Sequence, residues 1–249
     1  MNLPGLRRWF LIIAAGILLA CQLPLLGSKL PEVVDYPAPE LETDFSPFEQ
    51  AGCQKDEYGW IRCPDDSPIS EMGCGSLQKA SDLLGGLRPG DPIAVCVVRP
   101  PDDMDYQTFD QQESVYRIGG LFPTLYRYVI WRDEEFQLLE NKQAVRQAFA
   151  PIEGQDEALS YAIALTNLEA YYDLQAERGM RYFTNRLEDT HVLNNSAGYE
   201  INLFHYQFLG CGPHPTSQVI VQVSRDGDIL LGDAQKLFED PEQDDLCVD

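Results

Sequence analysis

Positive charge is what this sequence lacks most. Lys and Arg number 18 against 40 Asp and Glu, a formal charge of -22 at pH 7. A body this anionic has no basic stripe with which to hold a phosphate backbone or an anionic lipid surface, which excludes nucleic acid as a partner. Histidine is scarce, with three in the chain. No G-x-S-x-G elbow, H-E-x-x-H helix, P-loop or G-x-G-x-x-G turn is present. Internal repeats and low-complexity tracts are absent as well, which excludes a solenoid. Apolar residues are not lacking. They make up 44% of the chain, with 10% aromatic, enough for a core and too many for a disordered chain.

Long apolar runs are also few, and the one that stands out is N-terminal. Arg7-Arg8 precedes an unbroken apolar stretch from Trp9 to Ala20, followed by Cys21. A short basic region before an apolar stretch of this length is the plan of an export signal. Leu18-Leu19-Ala20-Cys21 resembles the lipobox of bacterial lipoproteins, with Ala20 as the small residue before the cut and leucine three positions before the cysteine. The resemblance covers about 21 residues. It implies cleavage before Cys21, a diacylglycerol on its sulfur, and a protein of the cell envelope facing the periplasm or exterior, in contact with the bilayer through acylated Cys21. An uncleaved anchor is the competing reading, since Trp9 to Leu26 approaches the length of a span; Gln22 and Pro24 count against it. Arg7-Arg8-Trp9-Phe10-Leu11 also resembles a twin-arginine signal, but Leu6 stands where a polar residue belongs, which favours the general export route. Cleavage removes two of the 18 bases and no acid, so 16 bases against 40 acids leave -24.

The seven cysteines are 21, 53, 63, 74, 96, 211 and 247. An odd count in an exported chain calls for an explanation. Lipidation of Cys21 leaves six, which can form three disulfides in an oxidising compartment. Six cysteines admit 15 connectivities. Proximity along the chain favours Cys53 with Cys63 across a hairpin, Cys74 with Cys96, and Cys247 pinning the acidic tail to Cys211. A zinc site is disfavoured because no C-x2-C pair exists. Gly73-Cys74-Gly75-Ser76 superficially resembles the nucleophile segment of papain-like proteases, but the second cysteine and the aromatic residue that should follow are missing. Cys74 reads as a half-cystine.

The chain divides as follows. Residues 1–20 are the signal. Residues 21–50 carry the lipid anchor and a tether rich in proline and acid, read as extended. Residues 51–103 form a small disulfide-rich subdomain. There Ser76 caps a helix with Leu77, Ala80, Leu83 and Leu84 on one face, Gly85-Gly86 ends it, and Ile93–Val98 is a buried strand. Residues 104–249 form an α+β domain. Its first part is a strand through Leu125–Trp131, a polar turn at Arg132–Glu135, a helix capped by Asn141 and limited by Pro151, and a second helix from Asp156-Glu157. Alternating strands at 199–209 and 218–223 and a hairpin at Asp226-Gly227 complete it. The expected architecture is an antiparallel sheet with helices packed on one face.

Chemistry-bearing candidates are thin. His205 in a strand and His214 after a turn are weak candidates for a metal or catalytic pair, if the strands on either side bring the rings together. The bland alternatives are a hydrogen-bonded sheet histidine and a solvent-exposed turn residue. Asp226, Asp228 and Asp233 miss the calcium-loop pattern. Aromatics between Val115 and Trp131 could form a binding surface, though aromatic strands are usually core. The function expected is a membrane-anchored, non-catalytic binding module without a cofactor, for an unassigned protein, peptide or glycan. The alternative is a hydrolase or metal-dependent envelope enzyme using His205, His214 and nearby carboxylates.

Overall fold

The computed structural model describes residues 29–98, 114–119 and 123–248. The signal, Cys21 and the Pro100–Asp103 break lie outside them. Residues 31–249 cluster as one unit, separate from residues 1–30.

The unit opens with β1 (Glu32–Val34) and a short helix, α1 (Ser46–Gln50). A hairpin of β2 (Gln54–Lys55) and β3 (Ile61–Arg62) leads to β4 (Ser76–Lys79), a 3-10 turn at Asp82–Gly86, and β5 (Ile93–Val98). Strands β6 (Tyr116–Ile118), β7 (Thr124–Arg132) and β8 (Glu135–Leu139) precede helices α2 (Lys142–Phe149) and α3 (Gln155–Leu165). Then come β9 (Arg181–Tyr182), β10 (Arg186–Glu188), β11 (Val192–Asn194) and β12 (Gly198–Tyr206). The chain closes with β13 (Gly210–Cys211), β14 (Thr216–Ser224), β15 (Ile229–Leu231), β16 (Gln235–Glu239) and β17 (Cys247–Val248).

Two antiparallel sheets dominate. The first runs β2-β3-β4-β5-β7-β6, with β8 also on β7; the second runs β11-β12-β14-β16-β9, with β15 on β14. The mixed α+β character therefore holds, with more strand than helix. Strand β5 is buried at all six positions because both faces of its sheet are covered. Ile93 and Val95 join Tyr128 and Ile130 in the main core; Ala94, Cys96 and Val98 join Leu125, Val129 and Leu77 in a second.

Helix α3 is not a cover on one face of a sheet. Eight of its eleven residues are buried, and an apolar helix buried nearly all round belongs inside a core rather than on a surface. Leu159, Ala162 and Leu165 share the main core with Ile93 and Tyr128 of the first sheet and with Ile201, Leu203 and Val221 of the second. The Tyr128 hydroxyl donates to Ala164 O (3.0 Å) and Tyr161 to Gly227 O (2.9 Å), so the aromatic rings enter the core with their polar ends satisfied.

Segment 76–86 also departs from expectation. Ser76–Lys79 is a strand, not the first turn of a helix. Leu77 pairs with Cys96 and enters the second core, while Ala80 and Leu84 enter the main one. The edge of β5, buried on both faces, needs hydrogen-bond partners, and that demand overrides the helical spacing. Ser81, rather than Ser76, provides the cap, accepting from Leu83 N. Gly85-Gly86 serves close approach rather than helix termination. A Cβ on Gly85 would lie 2.2 Å from Glu42 O, and one on Gly86 would lie 2.4 Å from Asp156 O.

Three disulfides join Cys53 to Cys63, Cys74 to Cys96 and Cys211 to Cys247. They fit a chain that folds in an oxidising, extracytoplasmic environment. The first closes the β2–β3 hairpin. The last staples directly opposed residues of β13 and β17. No separate disulfide-rich subdomain ends at residue 103, because β5 pairs with β7 over six registered positions. Among the described residues no helix is long and apolar enough to cross a membrane.

Residues 31–50, expected as a free tether, pack onto this unit. Phe48 is fully buried in the second core, against Phe136, and β1 pairs in parallel with β10. The attachment is fastened at Asp189, whose side chain is fully buried. Its carboxylate accepts from Tyr36 N (3.2 Å), Asp173 N (3.1 Å) and Leu174 N (3.0 Å). Composition alone did not reveal these contacts, because Pro and acid suit an edge-lying extended segment as well as a free one. Replacing Asp189 with Ala leaves three amide donors without their acceptor, so stability should fall by about 3 kcal/mol or more. Urea unfolding together with proteolysis at 31–40 checks this; an unchanged midpoint and an unchanged cleavage pattern would remove Asp189 from that role.

Candidate ligand cavity

A cavity of about 940 Å³ opens where the two sheets and the two longer helices meet. Val115, Tyr116 and Arg117 come from the start of β6. Asn141, Lys142 and Gln143 come from the start of α2. Thr166, Asn167 and Leu168 follow α3, His205 ends β12, and Leu231 ends β15. The sequence places them there for simple reasons. Asn141 caps α2 through its side chain, accepting from Ala144 N at 3.0 Å, which sets Lys142 at the first helical position. Thr166 stops α3 by turning its hydroxyl back to Ala162 O at 2.7 Å. His205 falls on the same strand face as Tyr199, Ile201 and Leu203, so it points between the sheets beyond the last apolar residue.

The lining has a polar and an apolar side. Val115, Leu168 and Leu231 supply apolar surface, and Tyr116 stacks on Tyr126 with centroids 4.9 Å apart. Burial pushes the Tyr116 phenol up to about 12, so its hydroxyl stays a neutral hydrogen-bonding group. Arg117, Lys142 and His205 bring the cationic and imidazole groups. Neither the Lys142 nor the His205 side chain has a hydrogen-bond or ion-pair partner among the described residues. No carboxylate occurs among the described lining residues.

The structure separates the two histidines singled out from the sequence. His214 is 2% exposed, not a solvent-facing turn residue. Its Nδ1 lies 2.9 Å from Gln207 O and its Nε2 3.1 Å from Leu246 O. Both nitrogens are thus occupied by backbone carbonyls, and the ring clamps the C-terminal segment beside the Cys211–Cys247 bridge. His205 faces the cavity instead. Among the described residues no group of three His, Cys, Asp or Glu side chains is arranged to hold a metal ion. Asp228 is engaged with Arg146 at 2.5 Å. His191, to which the sequence gave no role, stacks on Tyr36 at 4.2 Å and donates from Nδ1 to Asp189 O. The aromatic segment 115–131 is mostly core, and Tyr116 is the member that reaches the cavity.

Lys142 escaped the sequence reading, yet a signal for it existed. A cation in the first turn of a helix opposes the helix dipole, at a cost of about 0.3–1 kcal/mol. Helix α2 has no acid in its first turn, although the chain carries 40. Helix α3, by contrast, begins with Asp156 and Glu157.

Comparison with protein-family models, with curated proteins and with solved structures finds no match.

The C-terminal clamp offers a pH test. Glu239 is 3% exposed and is held by Lys236 (2.9 Å) and by Arg181. Burial alone would raise its carboxyl, but the hydrogen bonds and charges of Lys236 and Arg181 outweigh that and keep it below the ordinary value. A lowered folded-state value contributes stability above the unfolded value, about 4.3, and that stability is lost as pH falls through the folded one. Glu239→Gln should therefore be less stable than the parent at pH 7, and its stability should decline less on acidification below about pH 5. Unfolding midpoints across that range check it; parallel curves for parent and variant would contradict it.

Proposed function

We propose that this chain is a membrane-anchored extracytoplasmic lipoprotein that acts as a non-catalytic binding module, with the cavity at Tyr116, Lys142 and His205 as its ligand site. The observation that carries the anchoring is the cysteine ledger. Six of the seven cysteines are paired in three disulfides, and the one outside those pairs is Cys21, where the lipobox-like Leu18-Leu19-Ala20-Cys21 requires a thiol. An acylated cysteine with a diacylglycerol and a further N-acyl chain satisfies the need for more than one chain in stable anchoring. The binding reading is supported by a roomy cavity that combines an apolar wall with the polar side chains of Tyr116, Lys142 and His205. The enzyme reading loses its pairing of His205 with His214, since the His214 nitrogens are occupied elsewhere.

The packing of 31–50 changes how such a body is held. Nine residues lie between Cys21 and Pro31, a stretch of chain that spans at most roughly 35 Å when fully extended. Substituting Cys21 with Ser should shift the protein from membranes to the soluble extracytoplasmic fraction and abolish incorporation of labelled fatty acid. Unchanged partitioning of the variant would refute the anchor.

A further inference from the structure

Another cavity, of about 600 Å³, lies over the small apolar cluster at Phe204, Leu187 and Leu237, and its walls are largely rings. Tyr171, Tyr172, Tyr182 and Phe238 line it together with Met180, and each is half-buried. Tyr171 stacks on the fully buried Phe204 with centroids 4.9 Å apart, so one face of its ring is covered and the other is the face a ligand can meet. Tyr182 and Phe238 stand at 58° to one another, centroids 6.1 Å apart. Tyr182 is held at its far end, where its hydroxyl accepts from Glu177 N (2.7 Å) and donates to Glu177 O (3.1 Å). The loop carrying Tyr171 is fixed as well, since Tyr171 N donates to Thr190 Oγ1 (3.0 Å) and Tyr171 O accepts from Thr190 N (2.8 Å). Rings set at an angle on a fastened backbone are walls that a ligand finds already formed.

The charge around these rings has one sign. The described lining holds the carboxylates of Asp173 and Glu177 and no Lys, Arg or His. Both carboxylates are exposed, and neither has a hydrogen-bond or ion-pair partner among the described residues. Arg178 and Arg181 are near in sequence but are not part of the lining, and Arg181 is engaged by Glu239 and Asp244. Behind the wall, the fully buried Asp189 holds its charge on backbone amides, two of them from Asp173 and Leu174, with no cation as partner among the described residues. The negative field reaches the rings. Burial first, then Asp156 and Asp189, push the Tyr172 phenol up to about 12, and burial and Glu169 push Tyr171 up as well, so both rings stay neutral.

Carboxylates alone would suit any cation, and the rings narrow the choice. Among the described residues no group of three side chains is arranged for a metal ion. A compact ammonium is strongly hydrated and must give up that water to meet a ring face. A quaternary ammonium has an apolar shell and a diffuse charge, so ring faces and carboxylates both attract it. We propose that this cavity binds a quaternary ammonium group, the trimethylammonium head of a small molecule or of a lipid, seated among Tyr171, Tyr172, Tyr182 and Phe238 and faced by Asp173 and Glu177. The site shares no lining residue with the cavity at Tyr116, Lys142 and His205 and does not depend on it.

The test uses the full chain in dodecylmaltoside micelles, with empty micelles as the blank. Isothermal titration compares choline with 3,3-dimethylbutan-1-ol, which has the same shape and no charge. Choline should bind at least tenfold more tightly. Asp173→Asn combined with Glu177→Gln should cut that preference severalfold at an unchanged unfolding midpoint, since asparagine tolerates the φ of 58° at residue 173. Phe238→Leu keeps an apolar side chain and loses the ring, so it should weaken choline severalfold and the alcohol little. Equal binding of the two probes, a preference that survives in both variants, or no binding of choline at millimolar concentration overturns the proposal. Choline titration repeated in phosphatidylcholine nanodiscs assigns the source: an unchanged affinity marks a free cation as the ligand, and a weakened one marks a lipid head that competes for the site.

Discussion

A carboxylate buried without a cation is expensive unless hydrogen bonds replace its water. Asp189 is such a group, and much of the structure is arranged around it. Its two oxygens accept amides from Tyr36 on the N-terminal segment and from Asp173 and Leu174 on the loop before β9. Its own carbonyl accepts from Asn202 Nδ2 and His191 Nδ1, and its amide donates to Val34 O. One residue therefore fastens β1, the 171–174 loop and β12 to one another. The outer face of the second sheet, with Phe204 and Leu187 beneath Tyr171, is closed by the same elements.

The remaining strength is distributed by layers. Helix α3 meets both sheets and carries almost no exposed surface, so the main core is continuous from Ile93 to Val223. The second core is smaller and sits where two of the three disulfides are. Cys53, Cys63, Cys74 and Cys96 all border it, along with Phe48. Bridges of this kind stabilise chiefly by restricting the unfolded chain, by about 2–4 kcal/mol each. They are concentrated where strands of only two to four residues would otherwise hold poorly.

Much of this was legible in residue order. The buried strand at Ile93–Val98, the long strand through Tyr126–Trp131, the Asn141 cap, the Asp226-Gly227 hairpin and the three bridges all follow from period, turn chemistry or proximity. What escaped depended on distant partners. Leu77, Ala80 and Leu84 have helical spacing, but Leu77 pairs with Cys96 and the other two enter a different core. The proline-rich start looked free because the groups that hold it, Asp189 and Phe136, lie far along the chain. The cavity was half legible. His205 drew attention as an imidazole on an apolar strand, while Lys142 looked like an ordinary helix-surface cation until its position against the dipole was weighed.

The strong negative charge takes on a definite meaning in this account. On the proposed reading it belongs to an exported body tethered to a bilayer, and no carboxylate stands among the described lining residues of the cavity at Tyr116, Lys142 and His205. All of this presumes a chain that is cut and acylated at Cys21 and oxidised at every other cysteine. The intact mass of the protein extracted from membranes tests that claim most directly. The account predicts a chain beginning at Cys21, heavier by its acyl groups and lighter by two hydrogens for each of three disulfides. A mass matching the full 249 residues without lipid, or one retaining free thiols among the six, would contradict it.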